Sequence, residues 1–292
     1  QEPVWQGWIS EITSAIESAV LAADGAPWGD LDGVEDPEAS RPSAYEWERR
    51  SFEKEKCVAS VRKGLEHALE SRDDVMIIGE DIESPYGGAF KCTMGLSAKW
   101  PNRVRNTPIS EAAIVGIGNG LAMRGIVPIV EIMFGDFLTL AADQWINHAA
   151  KFRFMYNGKV KVPLIIRTPM GGKRGYAATH SQSIEKHFLG LPDTQVLALH
   201  HRSSPEALYR ELLATIDRPT LVIENKMLYG QSISSEPPAG YDLWFSRESF
   251  PTARLRPRSS AGPDVTILAV GGMSIDAEEA AVRPFRDEEI VS

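Results

Sequence analysis

Apolar positions along this chain follow two rhythms. At first they fall at helical spacing. Trp8, Ile12, Ile16 and Val20 share one face of residues 8–23, and Val58, Val61, Leu65, Ala68 and Leu69 recur through roughly 55–72. From residue 75 short continuous apolar runs take over: VMIIG at 75–79, IVPIVEIMF at 126–134, VPLIIR at 162–167, TQVLAL at 194–199, PTLVIE at 219–224 and DVTILAVG at 264–271. Helical segments at 111–124, 136–155 and 204–217 lie between most of them. Strand-length apolar runs alternating with helices predict an α/β fold with a mostly parallel sheet sandwiched by helices.

Two stretches break the pattern. Residues 25–43, GAPWGDLDGVEDPEASRPS, read as a linker, and residues 231–263 are polar, hold five prolines and read as a crossover to a new unit. That unit has one strand, a helix at 274–283 and the stub EEIVS, too little to close a sheet. The chain also opens on Gln1 rather than Met. It is therefore expected to be part of a longer or processed polypeptide, with segments 1–54, 55–230, 231–263 and 264–292. No internal repeat is visible.

Composition narrows the class. With 40 acids against 31 Lys and Arg the net charge is −9, and all of it lies in residues 1–55, which hold 13 acids and 4 bases. The neutral remainder lacks the basic stripe of a nucleic-acid binder. No apolar run reaches the roughly 18–20 residues of a membrane helix. Two cysteines, Cys57 and Cys92, exclude a disulfide scaffold and suit a reducing, cytoplasmic setting. At 43% hydrophobic the chain can bury a substantial core.

Few residues advertise chemistry on their own. Gly116, Gly118 and Gly120 lie inside a helical stretch, where each costs about 1 kcal/mol relative to Ala. They predict close approach of another helix, a subunit or a ligand; the Rossmann fingerprint does not fit their position. Glu111 opens that helix, where the dipole alone favours an acid. Glu80 follows the strand at 75–79, at the end where α/β proteins place function, although a solvated acid is also common there. His180 follows the glycine-rich loop MGGKRGYAA, as an acid/base group or as an ordinary surface histidine. His200 and His201 read as exposed strand-end residues without metal-ligand spacing. The chain has no P-loop and no G-D-G followed by Asn, hence no phosphate or Mg²⁺ cradle of its own.

Taken together, V75-M-I-I-G-E-D, G87-G-A-F, T93-M-G-L, R103-V-R-N-T-P-I-S-E, E131-I-M-F-G-D-F, D143-Q-W-I-N-H-A-A-K, P163-L-I-I-R-T-P, H180-S-Q-S and L221-V-I-E-N-K-M-L-Y resemble one family. It is the β subunit of the thiamine-diphosphate-dependent decarboxylating component of 2-oxoacid dehydrogenase complexes, within the transketolase-like group. The resemblance covers about residues 55–285 and implies the pyrimidine domain of the thiamine-diphosphate fold, followed by the start of a transketolase C-terminal-like domain. By motif position, Glu111 matches the carboxylate that hydrogen-bonds the cofactor's aminopyrimidine ring and promotes deprotonation of the thiazolium carbon. Ile109, Met133 and Phe137 match the apolar wall around that ring. Glu80 matches a second acid in a proton relay, and His180 the histidine that meets the substrate or the acyl-carrying arm.

In that family an α-type subunit holds the diphosphate and Mg²⁺, so the resemblance implies an α2β2 heterotetramer, inert without the α-type partner. It implies decarboxylation of a 2-oxoacid and acyl transfer to the lipoyl arm of an acyltransferase. The same apparatus redirected to acyloin synthesis is the alternative, and a non-catalytic scaffold a third. Residues 8–28 resemble the end of an α-type subunit, which makes 1–54 a partner-tethering tail and acidic linker, outside the thiamine fold. H200-H-R-S-S-P-E departs from the family pattern, so its structural potassium site is not carried over. The missing bulk of the C-terminal domain leaves complex assembly open.

Overall fold

The computed structural model describes Ser10, residues 13–18, Leu21, 46–258 and 265–283. The chain divides into two units, Gln1–Tyr45 and Glu46–Ser292. In the first, Ser10, residues 13–18 and Leu21 are helical. The rest of the helix expected at 8–23, the linker at 25–43 and the stub EEIVS lie outside the described residues.

The second unit is built on six parallel strands: β1 (Val75–Gly79), β2 (Val104–Asn106), β3 (Val127–Glu131), β4 (Ile165–Met170), β5 (Gln195–Ala198) and β6 (Thr220–Asn225). Their order is β2-β1-β3-β4-β6-β5, every neighbouring pair parallel. Helices α1 (Cys57–Ser71) and α3 (Pro205–Thr215) cover one face, and α2 (Glu111–Met123) covers the other. Alternation along the strands sends Ile77, Ile129, Ile165 and Val222 to the first face, against Leu65, Leu69 and Leu212. Their neighbours Ile78, Val130, Ile166 and Leu221 pack on the second, against Ile114, Val115 and Trp145. Burial on both faces is why these strands read as continuous apolar runs. β2 escaped the pattern because it is an edge strand in which only Val104 is buried.

Several expectations change. Residues 136–155 are helical but not one helix: a 3₁₀ segment at Gly135–Ala141, a π segment at Gln144–Ala149 and an α segment at Ala150–Met155. Within this irregular stretch the Asn119 side chain of α2 donates to the Gln144 carbonyl at 2.9 Å. Part of 231–263, read as linker, forms strands: Tyr241–Ser246 pairs antiparallel with Ala253–Pro257 and with Trp47–Glu48. The signal was present in the alternation Leu243–Trp244–Phe245, whose first and last members are buried, but five prolines masked it. Trp47, assigned to the acidic tail, thus packs with this unit. Residues 265–270 form no strand; Leu268 is 92% exposed, and among the described residues no strand pairs with this run.

Helix α4 (Met273–Val282) follows and docks on the loop after β5. His200 and His201 are not the exposed strand-end pair expected. Both are half-buried, and burial lowers the His200 pKa to about 4, with His201 adding to the effect. The His201 ring stands 2.9 Å from both Ser274 Oγ and Glu278 Oε2, and Arg202 Nε donates to Glu278 at 2.8 Å.

The three α2 glycines separate. A Cβ on Gly118 would stand 2.8 Å from Val130 Cγ2 and 2.9 Å from Leu164 Cδ1, so this glycine lets α2 lie directly on the sheet. Gly116 faces the Gln144 side chain at 3.2 Å, and Gly120 faces open space in this chain. Gly118→Ala should therefore destabilise the fold by about 1–3 kcal/mol through overpacking. Gly120→Ala should stabilise the isolated chain by about 1 kcal/mol through helix propensity. Urea unfolding of both variants measures the contrast.

Candidate active site

The segments that leave the carboxyl ends of β1, β2, β3 and β4 carry the six residues to which the family resemblance gives a role. Glu80 follows β1, Ile109 and Glu111 follow β2, Met133 and Phe137 follow β3, and His180 lies on the loop after β4. Connection β1 to β2 runs to one side of the sheet and β3 lies on the other side of β1, so the chain reverses direction here. Crevices at such switch points are where open α/β sheets bind ligands.

Two carboxylates line the β1/β2 side. The Thr107 amide continues the ladder by donating to the Gly79 carbonyl at 3.0 Å, which draws the start of α2 toward the turn after β1. Glu111 is the first residue of α2 and is buried there. Glu80 is buried beside it, and its Oε1 has no hydrogen-bond partner among the described residues. Burial raises the Glu80 pKa, and the charges of Glu111 and Asp81 push it further up. A proton on Glu80 is thus favoured by its surroundings. Next to this pair Ile109 projects with 84% of its surface exposed, an apolar side chain left bare beside carboxylates.

His180 stands on the β3/β4 side in an aromatic setting. Its ring meets Phe134 and Phe137 edge-on, with centroids 4.8 and 5.1 Å away, and Thr179 Oγ1 lies 2.9 Å from Nδ1. Phe134 also meets Phe90 and Tyr176 edge-on, and Phe90 stacks on Tyr229 at 4.9 Å. Beneath lies Lys226, fully buried, its ammonium bonded to the His180 carbonyl. Burial pushes the Lys226 pKa below the usual lysine range; Asp136 opposes this and Arg174 adds to it. Thus Phe137 and His180 are brought together, as are Glu80 and Glu111. No hydrogen bond, ion pair or ring contact joins one pair to the other among the described residues, and Met133 sits half-buried directly after β3.

On the α1/α3 face of the same strand ends lies a fully buried ionic cluster. Arg167 of β4 donates from Nη1 to Glu131 of β3, its register partner. It also donates from Nε to Glu224 of β6 at 3.0 Å and from Nη2 to the same carboxylate. Tyr209 and Tyr229 donate their hydroxyls to Glu224. Burial raises the Glu131 pKa against the pull of Arg167, while the two carboxylates hold the guanidinium well above its usual value. Both thiols lie near this cluster; burial pushes Cys92 up to about 12 and Cys57 higher still, so both are inert.

Residues 56–231 match the family described as "Transketolase, pyrimidine binding domain". The chain belongs to that family. It is 33% identical to "Pyruvate dehydrogenase E1 component subunit beta-1, mitochondrial" of Oryza sativa subsp. japonica, over 84% of this chain and 65% of that protein. It is 34% identical to "2-oxoisovalerate dehydrogenase subunit beta" of Pseudomonas aeruginosa, over 80% of this chain and 69% of that protein. It is 33% identical to "Acetoin:2,6-dichlorophenolindophenol oxidoreductase subunit beta" of Cupriavidus necator, over 76% of this chain and 65% of that protein. The chain is thus a member of the thiamine-diphosphate-dependent 2-oxoacid dehydrogenase β-subunit family, and it spans just under two thirds of the rice subunit's length.

The residues present fit the pyrimidine half of that cofactor. A buried acid lies at a helix start, a second has an unpartnered oxygen, and bare or half-buried apolar side chains stand beside them. Among the described residues no group of three His, Cys, Asp or Glu could hold a metal ion, and no helix is long and apolar enough to cross a membrane.

Sequence reasoning gave no role to Phe90, Phe134, Asp136, Tyr176 or Lys226. Phe134, Asp136 and Lys226 lie within strand-end blocks whose only signal was an aromatic or charge directly after an apolar run. Arg167, at the end of VPLIIR, carried the same signal.

Two outcomes follow. Arg167→Met leaves two buried carboxylates unpaired and should cost about 3–5 kcal/mol, read as a fall in thermal midpoint. Glu80→Gln should stabilise the chain at pH 7. A raised native pKa means the ionised form is disfavoured in the fold. The variant's advantage should therefore fade as pH falls through that raised value toward the ordinary carboxylate range. Denaturant midpoints of both proteins between pH 4 and 7 measure it.

Proposed function

We propose that this chain is the β-type subunit of a thiamine-diphosphate enzyme that decarboxylates a 2-oxoacid and passes the acyl group to a lipoyl arm. The observation that carries the reading is the buried Glu80–Glu111 carboxylate pair beside bare Ile109 at the switch point of a family-matched sheet. When bound, thiamine diphosphate supplies the electron sink for the carbanion left by carbon dioxide.

The chain's own residues prepare and steer that chemistry. Glu111 holds a proton at the pyrimidine ring nitrogen and so tunes the basicity of the ring's amino group. Glu80, disposed to keep its proton, serves as the second acid of a proton relay between paired sites, its Oε1 having no partner among the described residues. Ile109, Met133 and Phe137 form the apolar wall against the ring, which excludes water and orients it. His180, clasped by Phe134 and Phe137, presents an imidazole to the acyl group and its acceptor.

An α-type subunit contributes the diphosphate and Mg²⁺ site in an α2β2 assembly, and a lipoyl acyltransferase takes the acyl group. Exposed Ile117 and Met123 on α2, next to open Gly120, offer an apolar face for such a subunit.

Co-expression with the α-type partner and a 2-oxoacid assay with an artificial electron acceptor tests the reading. Turnover should require both chains, and Glu111→Ala should lower it by about 10²–10⁴-fold. Turnover that survives Glu111→Ala would remove Glu111 from its role. Absence of turnover with any 2-oxoacid would overturn the reading. Formation of a hydroxyketone instead of acylated lipoyl domain would move the chain to acyloin synthesis.

A further inference from the structure

We propose that Lys226 is a positioning residue that fixes His180. Its ammonium, lodged between the rings of Phe134 and Tyr176, holds the His180 backbone carbonyl and thereby sets where the imidazole stands. The inference rests on the role given to His180 above, but its geometry is independent of that role.

Lys226 is wholly buried immediately after β6, and its amide donates to the Met170 carbonyl at 2.9 Å, so its own backbone is tied to the end of β4. From that fixed root the side chain rises to the loop after β4. Nζ lies 5.1 Å from the Phe134 ring centroid and 5.6 Å from that of Tyr176. Among the described residues its one oxygen acceptor is His180 O. A buried ammonium needs compensation; the nearby Asp136 charge, two ring faces and one carbonyl supply it. Withdrawing the carbonyl would take from the ammonium its one oxygen acceptor among the described residues.

The rest of the loop has ties of its own, among them Lys173 Nζ, which donates to Asp276 Oδ1 of α4 at 2.6 Å. The Gly171 amide donates to Gln182 O at 3.0 Å and closes the neck. Gln182 donates from its amide and side chain to Asp136 Oδ1, at 3.2 and 2.9 Å. Arg174 Nη1 reaches the Lys226 carbonyl at 3.3 Å. The neck and the Asp136 bonds hold the loop's ends. Lys226 alone holds the backbone at His180, between exposed Thr179 and half-buried Ser181. Without it the His180 ring would keep its contacts with Phe134 and Phe137, but its backbone would lose its tie at the end of a stretch, 173–179, that is exposed throughout.

Amide hydrogen exchange on the full chain tests this without any turnover. Lys226→Met keeps the stem and removes the charge. Exchange of amides 178–182 should speed up about ten-fold, the loss expected for one charge-assisted hydrogen bond, while protection in 57–71 and 127–131 is retained. Lys226→Arg should restore most of the protection. Tyr176→Ala, an exposed side chain whose loss leaves the core intact, should loosen the same amides to a lesser degree and serves if Lys226→Met does not fold. Unchanged exchange at 178–182 in Lys226→Met, or in Tyr176→Ala where it alone folds, would overturn the proposal. So would protection lost evenly across the fold. A wild-type chain that shows this local response but never turns over a 2-oxoacid would retire the proposed function and leave the positioning role standing.

Discussion

A single guanidinium organises the functional edge of the sheet. Arg167 lies in the middle of β4 and reaches sideways to Glu131 at the end of β3 and to Glu224 near the end of β6. Through Glu224 it also engages Tyr209 of α3 and Tyr229. Backbone ladders fix strand spacing and register, but they leave the strand ends free to splay. A buried ion cluster does not tolerate splaying, because each partner withdrawn leaves a charge without water. The loops that leave β3, β4 and β6 therefore start from one rigid frame, and these loops carry Met133, Phe134, Phe137, His180 and Lys226.

The edge so fixed is divided by character. On the β1/β2 side two acids share a dry corner with a bare isoleucine. On the β3/β4 side an imidazole is enclosed by aromatic rings over a buried ammonium. The first setting favours a carboxyl that keeps its proton, and the second surrounds a cation and an imidazole with ring faces.

Much of this was legible in the sequence, for identifiable reasons. The six-stranded order rests on apolar runs that had to be continuous because helices cover both faces, and five of the six strands showed that signal. β2 did not, since an edge strand buries one residue of three. The Tyr241–Ser246 strand was hidden by prolines in the turns around it, and the run at 265–270 promised a strand that has nothing to pair with. Glu80, Glu111 and His180 were singled out by motif, not by spacing, for an acid at a strand end looks alike whether it is solvated or buried. Lys226 stayed invisible because a lysine after a strand is ordinarily a solvated cap; only the tertiary fold shows that its ammonium has no water to face. The glycines of α2 carried one signal and proved to have three different surroundings: a side chain, the sheet and open space.

The two edges of the main sheet are short, three residues in β2 and four in β5. Strands this brief offer few free backbone groups to an approaching strand. Such edges leave the main sheet little room to grow by strand addition, from another copy or from a stray unfolded segment. A partner that approaches this sheet therefore meets chiefly side chains, on helix faces and loop crests, where size, charge and shape can be discriminated.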